Sequence, residues 1–182
     1  VWRGILGEKR ANKMYRCKTL WDTGANVAWS SDNIAYGDFS SWNPYLGMEV
    51  GMTRWINDKT LAPESSRTIE KFPAPNQEMS IQEMILGYTI NGAKQLGIEA
   101  FKGSIEVGKC ADFFMIDSQR LELVGACYDP KSVLGTVGVR GAVDYTVIDG
   151  EVTVEHGAIT GIDEEKVVAD SNRELGRYLA DL

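Results

Sequence analysis

Asp32 is the carboxylate best placed by its neighbours to do chemistry. It follows the short, mostly apolar run Asn26-Val27-Ala28-Trp29-Ser30 and one further serine, Ser31. Read as a buried parallel strand, that run puts Asp32 just past a strand C-terminus. In barrels of alternating strands and helices, side chains at that end face the active site. A carboxylate there can ligate a metal ion and take a proton from metal-bound water. The same residue can equally hold a turn by accepting a backbone amide. Local pattern leaves both readings open.

Other reactive types offer less. His156, in Glu155-His156-Gly157, is the one histidine in the chain and reads as a surface residue at a hairpin end. Without a second histidine, Ser30, Ser31 and Cys17 have no base to activate them as nucleophiles. A histidine-rich metal site cannot be assembled from one histidine. Asp112 closes the stretch Gly103-Ser104-Ile105-Glu106-Val107-Gly108-Lys109-Cys110-Ala111 and reads as a holder of the turn through backbone hydrogen bonds. Trp42, Tyr45 and Trp55 can line an apolar pocket or fill a core, since aromatic residues dominate both settings.

The elements that must position these residues follow from periodicity. Residues 3–23 predict one helix with Met14, Cys17, Leu20 and Trp21 on a shared face, stopped at Gly24. Residues 26–30 predict the buried strand. Residues 33–79 predict a long loop, a helix from about Tyr45 to Ile56, and a second loop; loops of such length are usually functional. Ser80-Ile81-Gln82-Glu83 is a capping box opening a helix that Gly97 ends. Beyond residue 103 the period falls to two. Strands are expected at 105–107, 111–116, 133–139 and 145–148, and Asp149-Gly150 predicts a tight hairpin into Glu151-Val152-Thr153-Val154. Asp163-Glu164-Glu165-Lys166 opens a last helix with Val168, Leu175, Tyr178, Leu179 and Leu182 on one face.

Composition bounds the partners. The chain has 182 residues, 43% hydrophobic and 25% charged, with net charge −7. That acidity and the scattered Lys and Arg argue against nucleic acid. No apolar run is long enough to span a membrane and no export signal is seen, so no membrane partner is expected. The three cysteines Cys17, Cys110 and Cys127 lack paired spacing, which fits a reducing, cytoplasmic compartment.

Three blocks together resemble the amidohydrolase superfamily, most closely its family 3 type. Leu20-Trp21-Asp22-Thr23-Gly24-Ala25-Asn26-Val27-Ala28-Trp29-Ser30-Ser31-Asp32 resembles the helix, glycine, strand and Ser-Asp block at the eighth barrel strand. Tyr88-Thr89-Ile90-Asn91-Gly92-Ala93 resembles the helix that follows, and Gly103 to Asp112 the entry to a small β-domain. The resemblance covers about residues 3 to 155. It implies an α/β fold: at 1–102 the C-terminal part of a distorted (β/α)8 TIM-type barrel, at 103–157 a small composite β-sandwich, and at 158–182 a C-terminal helix. It implies hydrolysis of a non-peptide C–N bond in a small molecule by metal-activated water. Asp32 would be metal ligand and proton shuttle, with zinc the expected divalent metal.

The His-x-His of strand one and the later histidines of such enzymes are absent from these residues. The chain is therefore expected to be a fragment, alone inactive and without tight metal binding. It would be completed by the missing N-terminal part of the barrel or a companion chain, and would form a homo-oligomer. Residues 144–182 resemble deaminases of aromatic heterocycles in the same superfamily. A deaminase is thus one alternative, and a non-catalytic docking or dimerisation module another.

Overall fold

The capping box forms as its residue types require in the computed structural model of the chain, which describes residues 2–31, 43–56, 70–139 and 141–180. The Ser80 amide donates to Glu83 Oε2 at 2.8 Å and the Glu83 amide donates to Ser80 Oγ at 3.3 Å. The chain divides into two units, residues 1–109 with 118–140, and residues 110–117 with 141–182.

The first unit is mainly helical. Its elements are α1 (Trp2–Leu6), α2 (Glu8–Ala11), α3 (Cys17–Asp22), α4 (Pro44–Thr53), α5 (Ile81–Tyr88), α6 (Ile90–Leu96) and α7 (Pro130–Thr136), with the short antiparallel pair β1 (Trp55–Ile56) and β2 (Glu70–Lys71). Its core is built on Met48 of α4, Met79, and Ile81 and Met84 of α5, with Trp21, Trp29 and Leu134 packed against them.

Glycine lets two of these pieces meet. A Cβ on Gly87 of α5 would stand 2.0 Å from Trp29 Nε1, so the indole lies where any side chain at 87 would have to be. The Trp29 amide donates to the Gly87 carbonyl at 3.1 Å across the same approach. Gly87→Ala should therefore destabilise the protein by about 1–3 kcal/mol, the range for overpacking a filled interior. Urea unfolding checks this; an unchanged midpoint would show that Trp29 can retreat freely.

Several expectations are corrected. Residues 3–23 form three short helices, not one. Gly7 at φ 72° and Tyr15 at φ 53° turn the backbone into the left-handed region, so the apolar spacing from Met14 to Trp21 crosses a break. Residues 26–30 form no strand ladder. A parallel strand needs neighbours, and among the described residues none flanks it. The segment is held to α5 and α6 instead: Asn91 Nδ2 donates to the Val27 carbonyl and Asn26 Nδ2 to the Asn91 carbonyl, both at 3.0 Å. Residues 105–107 form no strand, and the chain turns at 107–108. Residues 133–139, expected as strand, lie largely in α7, because Asp129-Pro130 starts a helix. The Asp129 side chain accepts the Lys131 amide at 3.2 Å, and Pro130 occupies the first helical position.

The second unit carries the antiparallel sheet in the order β3 (Phe113–Met115), β4 (Tyr145–Ile148), β5 (Glu151–Glu155) and β6 (Ala158–Ile159). Asp149 and Gly150 take φ of 52° and 84°, the paired positive angles of a type I′ hairpin. Asp112, expected to hold the turn at Gly108–Cys110, has a structural role at a different turn: its Oδ1 accepts the Asp149 amide at 2.7 Å and fastens the Asp149-Gly150 hairpin. His156 and Gly157 form the next tight turn, with φ of 50° and 81°. Helix α8 (Glu164–Ala180) closes the unit, opened by Asp163, whose Oδ1 accepts the Lys166 amide at 3.0 Å. Among the described residues, no helix is long and apolar enough to cross a membrane.

Candidate functional site

Asp32, the residue on which the sequence places the chemistry, lies outside the described residues, as does Trp42. The chain leading to it does not. Trp29, Ser30 and Ser31 all line a cavity of about 420 Å³ in the first unit. The segment expected to deliver Asp32 to a site therefore ends at the wall of a pocket, and Asp32 is the next residue along.

Opposite, α4 supplies Leu46, Gly47, Val50 and Gly51 to the lining, and α5 supplies Met84 and Tyr88. Helix α4 starts where its sequence dictates, with the Asn43 side chain accepting the Tyr45 amide at 2.9 Å and Pro44 in the first turn. It stops at Arg54, whose φ of 65° is left-handed. That turn folds the arginine side chain inward, and only 4% of the residue is exposed. Its Nη2 donates to the Tyr15 carbonyl at 3.0 Å, and its Cζ lies 4.7 Å from the Phe72 ring centroid. Burial pulls the guanidinium below the usual arginine value, opposed by Cys17 and Glu78. Two buried donors in the lining residues, Arg54 Nε and Trp29 Nε1, have no hydrogen-bond partner among the described residues.

The sequence had pointed to other aromatics. Trp55 is 49% exposed in β1, and Tyr45 lies against Gly138; neither lines the cavity. Tyr15, Trp29, Phe72 and Tyr88 do. Burial pushes the Tyr88 phenol up from its usual value, so it stays protonated and can donate. Nothing in the sequence marked Arg54 or Phe72, because their meeting depends on the Phe72 amide donating to the Arg54 carbonyl at 2.8 Å across β1 and β2.

Among the described residues no group of three or more His, Cys, Asp or Glu gathers to hold a metal ion. His156 is exposed in the second unit, its ring nitrogens 3.0 and 3.2 Å from Tyr145 Oη.

A charged brace joins α3 to α5. Lys18 pairs with Glu83 at 3.0 Å and also with Asp22. Burial acts to raise the Glu83 carboxyl, but the Ser80 amide and Lys18 outweigh it and hold the group below the usual carboxylate range. A depressed folded-state value stabilises the fold above the unfolded-state value and loses that stabilisation as pH falls through the folded one. Glu83→Gln should therefore cost about 1 kcal/mol near neutral pH. The difference should shrink toward zero as the pH falls below the acidic range in which Glu83 titrates. Urea melts across that range check it; a penalty independent of pH would mean that the charge is irrelevant.

A family model, that of the Amidohydrolase family, matches residues 2–154. The chain is 47% identical over 77 residues to a hydroxydechloroatrazine ethylaminohydrolase of Pseudomonas sp. (strain ADP), a match covering 42% of this chain and 16% of that protein. It is 33% identical over 101 residues to a 5'-deoxyadenosine deaminase of Methanobrevibacter smithii, covering 56% of this chain and 23% of that one. Among solved structures, an adenosine deaminase from Xanthomonas campestris with bound zinc superposes with TM-score 0.66 at 22% identity, over 89% of this chain and 33% of that one. An atrazine chlorohydrolase from Arthrobacter aurescens TC1 complexed with zinc gives 0.61 at 21% identity, over 86% and 31%. The chain thus has the fold of about a third of those enzymes, and its matches span less than a quarter of these curated relatives' length.

Proposed function

Because this chain belongs to the amidohydrolase family, we propose that it is the C-terminal part of a metal-dependent hydrolase that cleaves a non-peptide C–N bond in a small molecule. Asp32 is its contribution to the reacting centre, as metal ligand and as the base that takes a proton from the attacking water and gives it to the departing nitrogen. What supports this is the run of Trp29, Ser30 and Ser31 along the cavity wall, immediately before Asp32. A divalent ion, zinc in this proposal, would supply polarisation and a water of lowered pKa. The described residues gather no donor set for it, so its other ligands would come from elsewhere in the polypeptide. The proposed frame is the end of a distorted barrel at 1–102, a composite β-sandwich at 103–157 and a closing helix at 158–182.

A second reading narrows the reaction to deamination of an aromatic heterocycle. It is favoured by relatives whose names describe amine removal from hydroxydechloroatrazine and from 5'-deoxyadenosine. One assay separates the two. The full-length polypeptide, loaded with zinc, is offered acyl amides and amino-substituted purines and triazines. Amine release abolished by a chelator and restored by zinc supports the hydrolase, and release from the heterocycles alone selects the deaminase. Turnover unaffected by chelation would overturn both.

The proposal includes a cytoplasmic setting, which suits the free thiols of Cys17, Cys110 and Cys127. It also includes self-association, since Val168, Leu175 and Leu179 of α8 are exposed. Sedimentation of the full-length protein should show an oligomer; a monodisperse monomer would contradict this.

A further inference from the structure

We infer that the cavity of the first unit is a binding site for a small aromatic carboxylate, with the Arg54 guanidinium as its anion partner. The inference stands on the cavity and not on the role of Asp32, so it survives or fails separately from the hydrolase reading.

The guanidinium is the reason. A buried charge is costly unless it is both paired and hydrogen-bonded. Arg54 is almost wholly buried, yet among the described residues no carboxylate forms an ion pair with it. Glu78, the acid whose charge reaches it, is paired with Lys71 at 2.7 Å instead. The contacts it does make, to the Tyr15 carbonyl and the Phe72 ring, bring no formal negative charge, Cys17 and Glu78 offset its burial only in part, and its Nε has no hydrogen-bond partner among the described residues. A planar guanidinium in that condition matches the two oxygens of a carboxylate better than any neutral acceptor.

The rest of the lining specifies the body that carries the anion. Tyr15, Trp29, Phe72 and Tyr88 make the lining aromatic, and Met79 and Met84 add soft apolar side chains. At about 420 Å³ the cavity falls in the range of small-molecule sites. A phosphate dianion would ask for more donors than one guanidinium provides. A single flat ring with one carboxylate meets both the charge and the walls.

Benzoate and its neutral isostere benzamide are the probes, titrated calorimetrically into the full-length protein. Benzoate should bind at least about tenfold tighter than benzamide, the difference expected for hydrogen bonds to a charged partner. The preference should persist after metal is removed with EDTA. It should disappear in Arg54→Met; in Arg54→Lys, which keeps the charge without the planar fork, it should be reduced but present. Benzoate should also slow alkylation of Cys17 by iodoacetamide, followed by peptide mass spectrometry, while leaving Cys127 unprotected. The comparison of the two ligands on the unaltered protein needs no variant to fold. Equal affinities, no binding of benzoate, or failure to protect Cys17 would overturn the inference. So would a preference that vanishes with EDTA, which would place the benzoate on a metal ion.

Discussion

Asp32→Asn in the full-length polypeptide should lower kcat for C–N hydrolysis by about 10³-fold, within the range for removing a positioned acid–base group. Asparagine keeps the shape and an oxygen that can accept a hydrogen bond, but it cannot take up a proton at neutral pH. If Asp32 only held a turn, asparagine would serve nearly as well, because both residues make the same side-chain-to-amide contact. The substitution therefore separates the two readings that local sequence leaves open. Loss of kcat with unchanged urea stability supports the reactive role. Full activity would assign Asp32 to the turn and remove the chemical anchor of the hydrolase proposal.

The second large effect is on stability. Met84 is 2% exposed, sits in the core cluster with Met48, Met79 and Ile81, and also lines the cavity. Its sulfur lies where a Cβ on Gly51 would be, 2.4 Å from that position, so it seals α4 against α5. Met84→Ala should cost about 2–5 kcal/mol, combining lost burial with the void left behind. Set against a typical stability of about 5–15 kcal/mol, this is a large fraction. The urea midpoint should fall with little change in slope. A loss below about 1 kcal/mol would show that α4 collapses onto α5, and the cavity would then be soft rather than preformed.

What could be read from the sequence was local. The Ser80–Glu83 box, the Asp149-Gly150 turn and the start of α8 at Asp163 each depend on residues close in sequence, and the structure reproduces all three. Two misses were local too and had signals. Asp129-Pro130 marks a helix start that alternation at 133–139 obscured, and Gly7 interrupts the pattern read as one helix over 3–23. Beyond the Trp29–Ser31 segment, the lining of the cavity was not legible. Arg54 turns inward because a left-handed residue ends α4, and it finds Phe72 and Tyr15 across long sequence separations. No spacing rule reports such a meeting. The aromatics singled out, Tyr45 and Trp55, had the right chemistry but lie away from the cavity wall.

Anomalous diffraction at the zinc edge from crystals of the zinc-loaded, full-length protein should show a peak about 2.0–2.2 Å from a carboxylate oxygen of Asp32, the distance of a zinc–carboxylate bond. A zinc peak elsewhere, with the Asp32 carboxylate turned to bulk solvent, would contradict the proposed role of Asp32.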